Sequence, residues 1–132
     1  ESEFINSEFS LFKHNRIEFP SFPYEWCPEM LRDAGRLTLE IADLFFAKTG
    51  WSIKDASPFN ILFKGSEPIF VDILSFEKRN EKDPIWLPYN QFVQTFLLPL
   101  LVNKEIGLSM QSIFLTNRDG LPVSEVSWTS RG

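Results

Sequence analysis

The sequence predicts an α+β fold, mainly helical and built around a central β-hairpin. Three observations lead there. Apolar residues between Met30 and Phe45 recur at three-to-four spacing, the period of a helix with one buried face. Two short runs, FNILF at 59–63 and IFVDI at 69–73, are dense in β-branched and aromatic residues and flank a turn-competent Gly65. A second helical pattern, YNQFVQTFLLPLLVN at 89–103, follows them.

In chain order, residues 1–22 are polar and aromatic without a sustained period and read as an extended arm or a cut end; 23–122 form the folded region, and 123–132 a polar tail. His14 sits in the arm with no chemical partner in sight. Pro20, Pro23 and Pro28 punctuate the entry. Phe22, Tyr24 and Trp26 fit either a packing anchor or a platform for a sugar or base, the anchor being the commoner use. Cys27 reads as a small buried or half-buried filler. Pro28 suits the first turn of a helix and Glu29 complements its positive end, while Met30, Ala34, Leu37, Ile41 and Leu44 or Phe45 mark its core stripe. Gly50 is its expected stop. After the hairpin, EKRNEKD at 77–83 reads as a solvated loop. Pro99 is expected to kink or break the second helix, a shorter third helix covers 106–116, and NRDGLP at 117–122 is a turn.

Composition narrows the function. The 132 residues, 43% hydrophobic and 15% aromatic, suffice for one compact domain. A net charge of −5 with no evident basic patch argues against nucleic-acid binding, which needs clustered Lys and Arg. One cysteine and one histidine exclude an internal disulfide and a thiolate or imidazole metal cluster. The longest apolar run, 96–102, is too short for a membrane span and contains Pro99. The acidic N-terminal stretch has no secretory pattern, so a cytoplasmic location is expected.

The chemistry concentrates in KDASPFNILFKGSEPIFVD at 54–72. Asp55 precedes the first strand, Asn60 opens it and Asp72 lies late in the second. Two readings fit. Asp and Asn are turn and cap residues whose side chains bond nearby backbone amides. The same set suits phosphoryl transfer, with Asp55 orienting an acceptor hydroxyl and Asn60 and Asp72 offering hard oxygen ligands to magnesium. DASPFNIL resembles the DxxPxNIL catalytic loop of aminoglycoside-phosphotransferase-like kinases, and PIFVD resembles their metal-binding strand. That resemblance implies the C-lobe core of a protein-kinase-like fold over about residues 30–76. Ile53 stands where those kinases carry histidine, with Lys54 beside it. The chain also lacks a glycine-rich nucleotide loop and an N-lobe, so the likeness implies a pseudokinase more than a working kinase.

A longer resemblance covers about residues 16–122. FPSFPYEWCPEMLRDAGRLTLEIA, KDASPFNILFKGSEPIFVDILSFE, DPIWLPYNQFVQTFLLPLL and TNRDGLP occur in the order found in the region preceding the catalytic domain of bacterial class I S-adenosylmethionine-dependent methyltransferases, some of them labelled nodulation-protein-like. This resemblance implies an accessory, kinase-like region that binds a small-molecule or glycan-type substrate, or a partner such as the remainder of the methyltransferase polypeptide. S-adenosylmethionine would serve the parent elsewhere: the six glycines here are scattered singly, and none forms the G-x-G turn of a cofactor pocket. Trp86 and Tyr89 either line a groove beside Asp55 or pin the preceding loop. Lys54 and Arg79 either contact an anionic ligand or serve as exposed countercharges, and Ser57 has no histidine to activate it. Three readings remain: accessory module, phosphotransferase lacking its N-lobe, and structural fragment without a ligand.

Overall fold

The computed structural model describes residues 3–4, 12–13, 17, 19–80, 82, 86 and 88–123. Pro28 opens α1 (Pro28–Thr49), where its missing N–H costs no intrahelical bond. Glu29 in the first turn has its carboxyl held below the ordinary range, first by a backbone N–H of the helix start and then by the Cys27 thiol. Gly50 ends α1 in the left-handed conformation, φ 76, and donates its N–H to the Phe46 carbonyl at 2.8 Å.

The buried stripe of α1 differs from the predicted one. Leu31, Ala34, Gly35 and Thr38 are fully buried, whereas Met30, Leu37 and Ile41 flank them half-buried, and Leu44 is 57% exposed. Thr38 hid that stripe from an apolar pattern. Its hydroxyl donates to the Ala34 carbonyl at 2.9 Å, so the side chain enters the core with its polar atom satisfied. Cys27 is exposed, not buried, because it precedes the first helical turn and the core position beside it is taken by Trp26. Trp26 is an anchor: it lies edge-on to Phe63 at 5.0 Å and its indole N–H donates to Ser21 Oγ.

The hairpin is β4 (Ile61–Lys64) and β5 (Glu67–Phe70), antiparallel with Ile61 opposite Phe70 and Lys64 opposite Glu67. Both strands are shorter than predicted. Pro58–Asn60 and Ile73–Ser75 are 3₁₀ turns instead, because the Ser57 hydroxyl takes the Phe59 N–H and the Asp72 carboxylate takes the Leu74 N–H, diverting those amides from the ladder. Beside the hairpin, β3 (Trp51–Ile53) pairs antiparallel with β6 (Phe76–Lys78). The expected solvated loop therefore begins inside a strand, with Glu77 and Lys78 exposed along an edge that has β3 as its one partner. In the arm, β1 (Glu3–Phe4) and β2 (Phe12–Lys13) pair antiparallel. His14 lies outside the described residues.

The second helix runs unbroken as α2 (Tyr89–Phe92), a π turn (Val93–Leu97) and α3 (Leu98–Ile106). Pro99 does not interrupt it. The shorter third helix, α4 (Met110–Thr116), starts later than expected, since α3 closes on Gly107 and the Ser109 hydroxyl caps α4 by accepting the Ser112 N–H. The predicted turn follows, with the Gly120 N–H donating to the Asn117 carbonyl at 3.0 Å. Phe92 and Phe96, stacked at 4.9 Å, meet α1 at Gly35 and join the two long helices. Among the described residues, no helix is long and apolar enough to cross a membrane.

Candidate functional site

Two backbone hydrogen bonds and three that involve side chains gather the Asp55 loop, the start of β4 and the end of the hairpin at one rim. The Lys54 N–H donates to the Ser75 carbonyl at 2.6 Å, setting the loop beside the turn that Asp72 caps. The Val71 N–H donates to the Asn60 carbonyl at 2.9 Å, which extends the hairpin register one pair beyond Ile61 and Phe70. Asn60, the last residue of its 3₁₀ turn, and Asp72, the cap of the next, thus flank the same end of the hairpin. The Asn60 side-chain amide donates to the Asp55 carbonyl at 3.3 Å, joining two of the three predicted residues directly. Asp72 is fixed from both sides, its Oδ1 accepting the Leu74 N–H at 3.1 Å and its carbonyl accepting the Ser75 hydroxyl at 2.9 Å.

The electrostatics leave oxygen atoms available. With its Nδ2 committed to Asp55, the Asn60 amide keeps Oδ1 as an open acceptor; Asp72 keeps Oδ2, and the Asp55 carboxylate is exposed. These are hard donors of the type magnesium prefers, and magnesium characteristically uses one or two protein ligands and completes its shell with water and phosphate. The donor chemistry fits that ion. Among the described residues, no group of three or more His, Cys, Asp or Glu is placed to hold a metal ion.

Behind the rim stands a support that a sequence pattern did not single out. The Gln91 side-chain oxygen accepts the Ala56 N–H at 2.7 Å, and the Thr95 hydroxyl, with one proton, is shared between the carbonyls of Ala56 at 3.0 Å and Gln91 at 2.8 Å. Both backbone polar groups of Ala56, the residue after Asp55, are thereby held from one helix. The available signal was two polar residues four apart, a spacing that places both on one face, but Asn90 and Gln94 share that spacing and the pattern does not single out Gln91 and Thr95.

Thr95 lies within the π turn. Leu98 donates to Val93 in the five-residue register, and the next donor would be Pro99, which has no N–H. The Gln94 carbonyl left over is taken instead by the Leu121 N–H at 2.9 Å. A wide turn is thus closed from outside by the C-terminal turn. That turn also places the Arg118 guanidinium over the Phe59 ring at 4.6 Å, while Phe59 packs edge-on to Phe114 at 6.5 Å, fixing the residue before Asn60.

The remaining candidates separate. Trp86 packs on Phe92 with ring centres 6.4 Å apart, Tyr89 is 59% exposed, and the Ser57 hydroxyl is spent on its turn. Lys54 is exposed beside Asp55. Arg79 lies at the other end of β3, its N–H on the Gly50 carbonyl and its guanidinium over Phe46 at 4.9 Å. Ile53, at the place of the kinase histidine, is buried in the core.

No family model and no solved structure matches this chain. Among characterised proteins it is similar to nodulation protein NoeA of Rhizobium meliloti (strain 1021), 30% identical over 122 residues, which is 92% of this chain and 25% of that protein. The chain therefore spans about a quarter of the curated relative it matches, and its relationship is nodulation-protein-like.

Proposed function

We propose that this chain is a kinase-C-lobe-like accessory region of an S-adenosylmethionine-dependent methyltransferase polypeptide, active in the cytoplasm in binding a substrate or partner at the Asp55, Asn60 and Asp72 rim. The observation that carries the reading is the Asn60 side chain bonded to the Asp55 carbonyl beside the turn that Asp72 caps. The pairing of β3 with β6 around the hairpin supports it, because that pairing is what returns the Asp72 turn to the Asp55 loop. The similarity over a quarter of a longer nodulation protein supports an accessory role within a larger polypeptide.

In this role Asn60 Oδ1 and Asp72 Oδ2 would hold magnesium, which would supply positive charge for an oxyanionic group of the bound molecule. Asp55, exposed at the rim, would accept a hydrogen bond from a ligand hydroxyl. Gln91 and Thr95 keep the loop from drifting. The methyl donor belongs to another part of the parent.

Magnesium titration followed by amide chemical shifts tests the rim. The expected result is saturable movement at residues 55, 60 and 72 that Asp72→Asn weakens by about tenfold or more, equivalent to roughly 1.4 kcal/mol. Absence of movement there sinks the metal-binding rim. ATP turnover is measured in the full-length parent in parallel. Turnover that Asp55→Asn abolishes would replace the accessory reading with a phosphotransferase that takes its N-lobe from elsewhere in the parent.

A further inference from the structure

Two contacts tie the C-terminal turn at residues 117–121 to the two sides of the Asp55 rim. The Leu121 N–H reaches the Gln94 carbonyl at 2.9 Å, and Gln94 directly precedes Thr95, whose hydroxyl holds the Ala56 carbonyl at 3.0 Å. The Arg118 guanidinium covers the Phe59 ring at 4.6 Å, next to Asn60. The turn itself is built on the end of α4: Asn117 donates its N–H to Ile113 at 2.8 Å, Gly120 donates to Asn117, and the Leu121 side chain is buried.

The helix under this turn has two registers open to it. In the π register the Leu98 N–H goes to Val93, and the Gln94 carbonyl is left for Leu121. In the ordinary α register the Leu98 N–H goes four residues back to Gln94, and Thr95, four residues before Pro99, is the carbonyl without a helical donor. Pro99 thus leaves one carbonyl over in either register. One donor, Leu98, serves either Val93 or Gln94, and the Leu121 N–H tips the choice by occupying Gln94. Docking of the turn therefore favours the π register, the rarer of the two.

We propose that the turn at residues 117–121 is a strap that regulates the rim. Docked, it keeps the helix in the π register, with Gln91 and Thr95 on Ala56, and holds Phe59 in place beside Asn60. Released, it lets the helix wind into the tighter α register. Gln91 and Thr95 then turn relative to α3, their hold on Ala56 is lost, and the Asp55 loop loosens. The rim's affinity for magnesium falls as a result, a consequence that rests on the metal-binding reading given above. Coupling of this kind is reciprocal, so a filled rim tightens the strap.

Hydrogen exchange in the 132-residue chain tests the strap without magnesium. Gly120→Ala displaces the turn, because the added methyl meets the Gln94 carbonyl. Gly107→Ala is the matched control: Gly107 has φ +72, and nothing lies within 4 Å of a methyl added there. Exchange at Ala56 is compared with exchange at Thr38 inside α1, which reports global opening. Gly120→Ala should accelerate Ala56 by about tenfold or more beyond Thr38, whereas Gly107→Ala accelerates the two alike. Should Gly120→Ala fail to fold, Arg118→Gln decides, with exchange at Asn60 expected to rise about threefold, the size of an exposed cation–π contact. Magnesium titration supplies the second arm: Gly120→Ala weakens binding by about fivefold or more, and saturating magnesium slows exchange at Leu121 in the unaltered chain. An Ala56 rate that rises only in step with Thr38, an equal selective rise in Gly107→Ala, or an unchanged Asn60 in Arg118→Gln overturns the strap. Absence of magnesium binding in the unaltered chain removes the metal from the rim, and the exchange comparison then decides the strap by itself.

Discussion

Gly120 shows how much can rest on one residue. It has φ +86, and a methyl added there would fall onto the backbone carbonyl of Gln94 and press on Thr95 Cγ2. Neither obstacle is the end of a flexible side chain. The carbonyl belongs to the π turn, and the neighbouring Leu121 N–H bonds it. Gly120→Ala should therefore cost the left-handed conformation and separate the turn from the helix, about 2–4 kcal/mol together, read as a lower urea midpoint. A loss under about 1 kcal/mol would mean that the turn relaxes freely. The sequence announced a turn at NRDGLP, and the turn is there. What it closes upon was not legible, because the Gln94 carbonyl is freed only by the combination of a π register and Pro99, and nothing local links that combination to Gly120.

Among the elements, legibility follows locality. Pro28 and Gly50 delimit α1 through their own backbone constraints, so its bounds could be read directly. β6 could not, since EKRNEKD carries no strand pattern and its first residues are strand only because β3 lies beside them. The rim behaves the same way. Asp55, Asn60 and Asp72 were recognisable as a spacing, whereas Gln91 and Thr95, which hold the backbone of Ala56, are fixed by a helix far along the chain. Thr95→Val keeps the shape and removes the donor, leaving the buried Ala56 carbonyl without it. A stability loss of about 1–3 kcal/mol is expected, with faster hydrogen exchange at Ala56. Unchanged exchange there would show that Gln91 alone secures the loop.

For the whole molecule, the decisive junction is where α1 crosses the π-turn helix. Phe96 is 1% exposed, stacks on Phe92, and its ring edge lies 3.2 Å from where a Cβ on Gly35 would stand. α1 leads into β3 and the Asp55 loop, and the second helix carries Gln91 and Thr95, so both halves of the rim's support pass through this contact. Removing the ring creates a cavity at a place that cannot collapse without bringing two helices closer. Phe96→Ala should cost about 3–5 kcal/mol, a large share of the roughly 5–15 kcal/mol that holds a domain folded. Gly35→Ala discriminates between rigid and yielding packing. In an isolated helix it would gain up to about 1 kcal/mol, but here the methyl must displace a ring already pressed against Phe92, so a net loss is expected. Urea unfolding of both variants, with an unchanged slope and lower midpoints, would establish one cooperative unit organised around this crossing. A stabilised Gly35→Ala variant would show that the helices can part, and that the rim is held by Gln91 and Thr95 without help from the crossing.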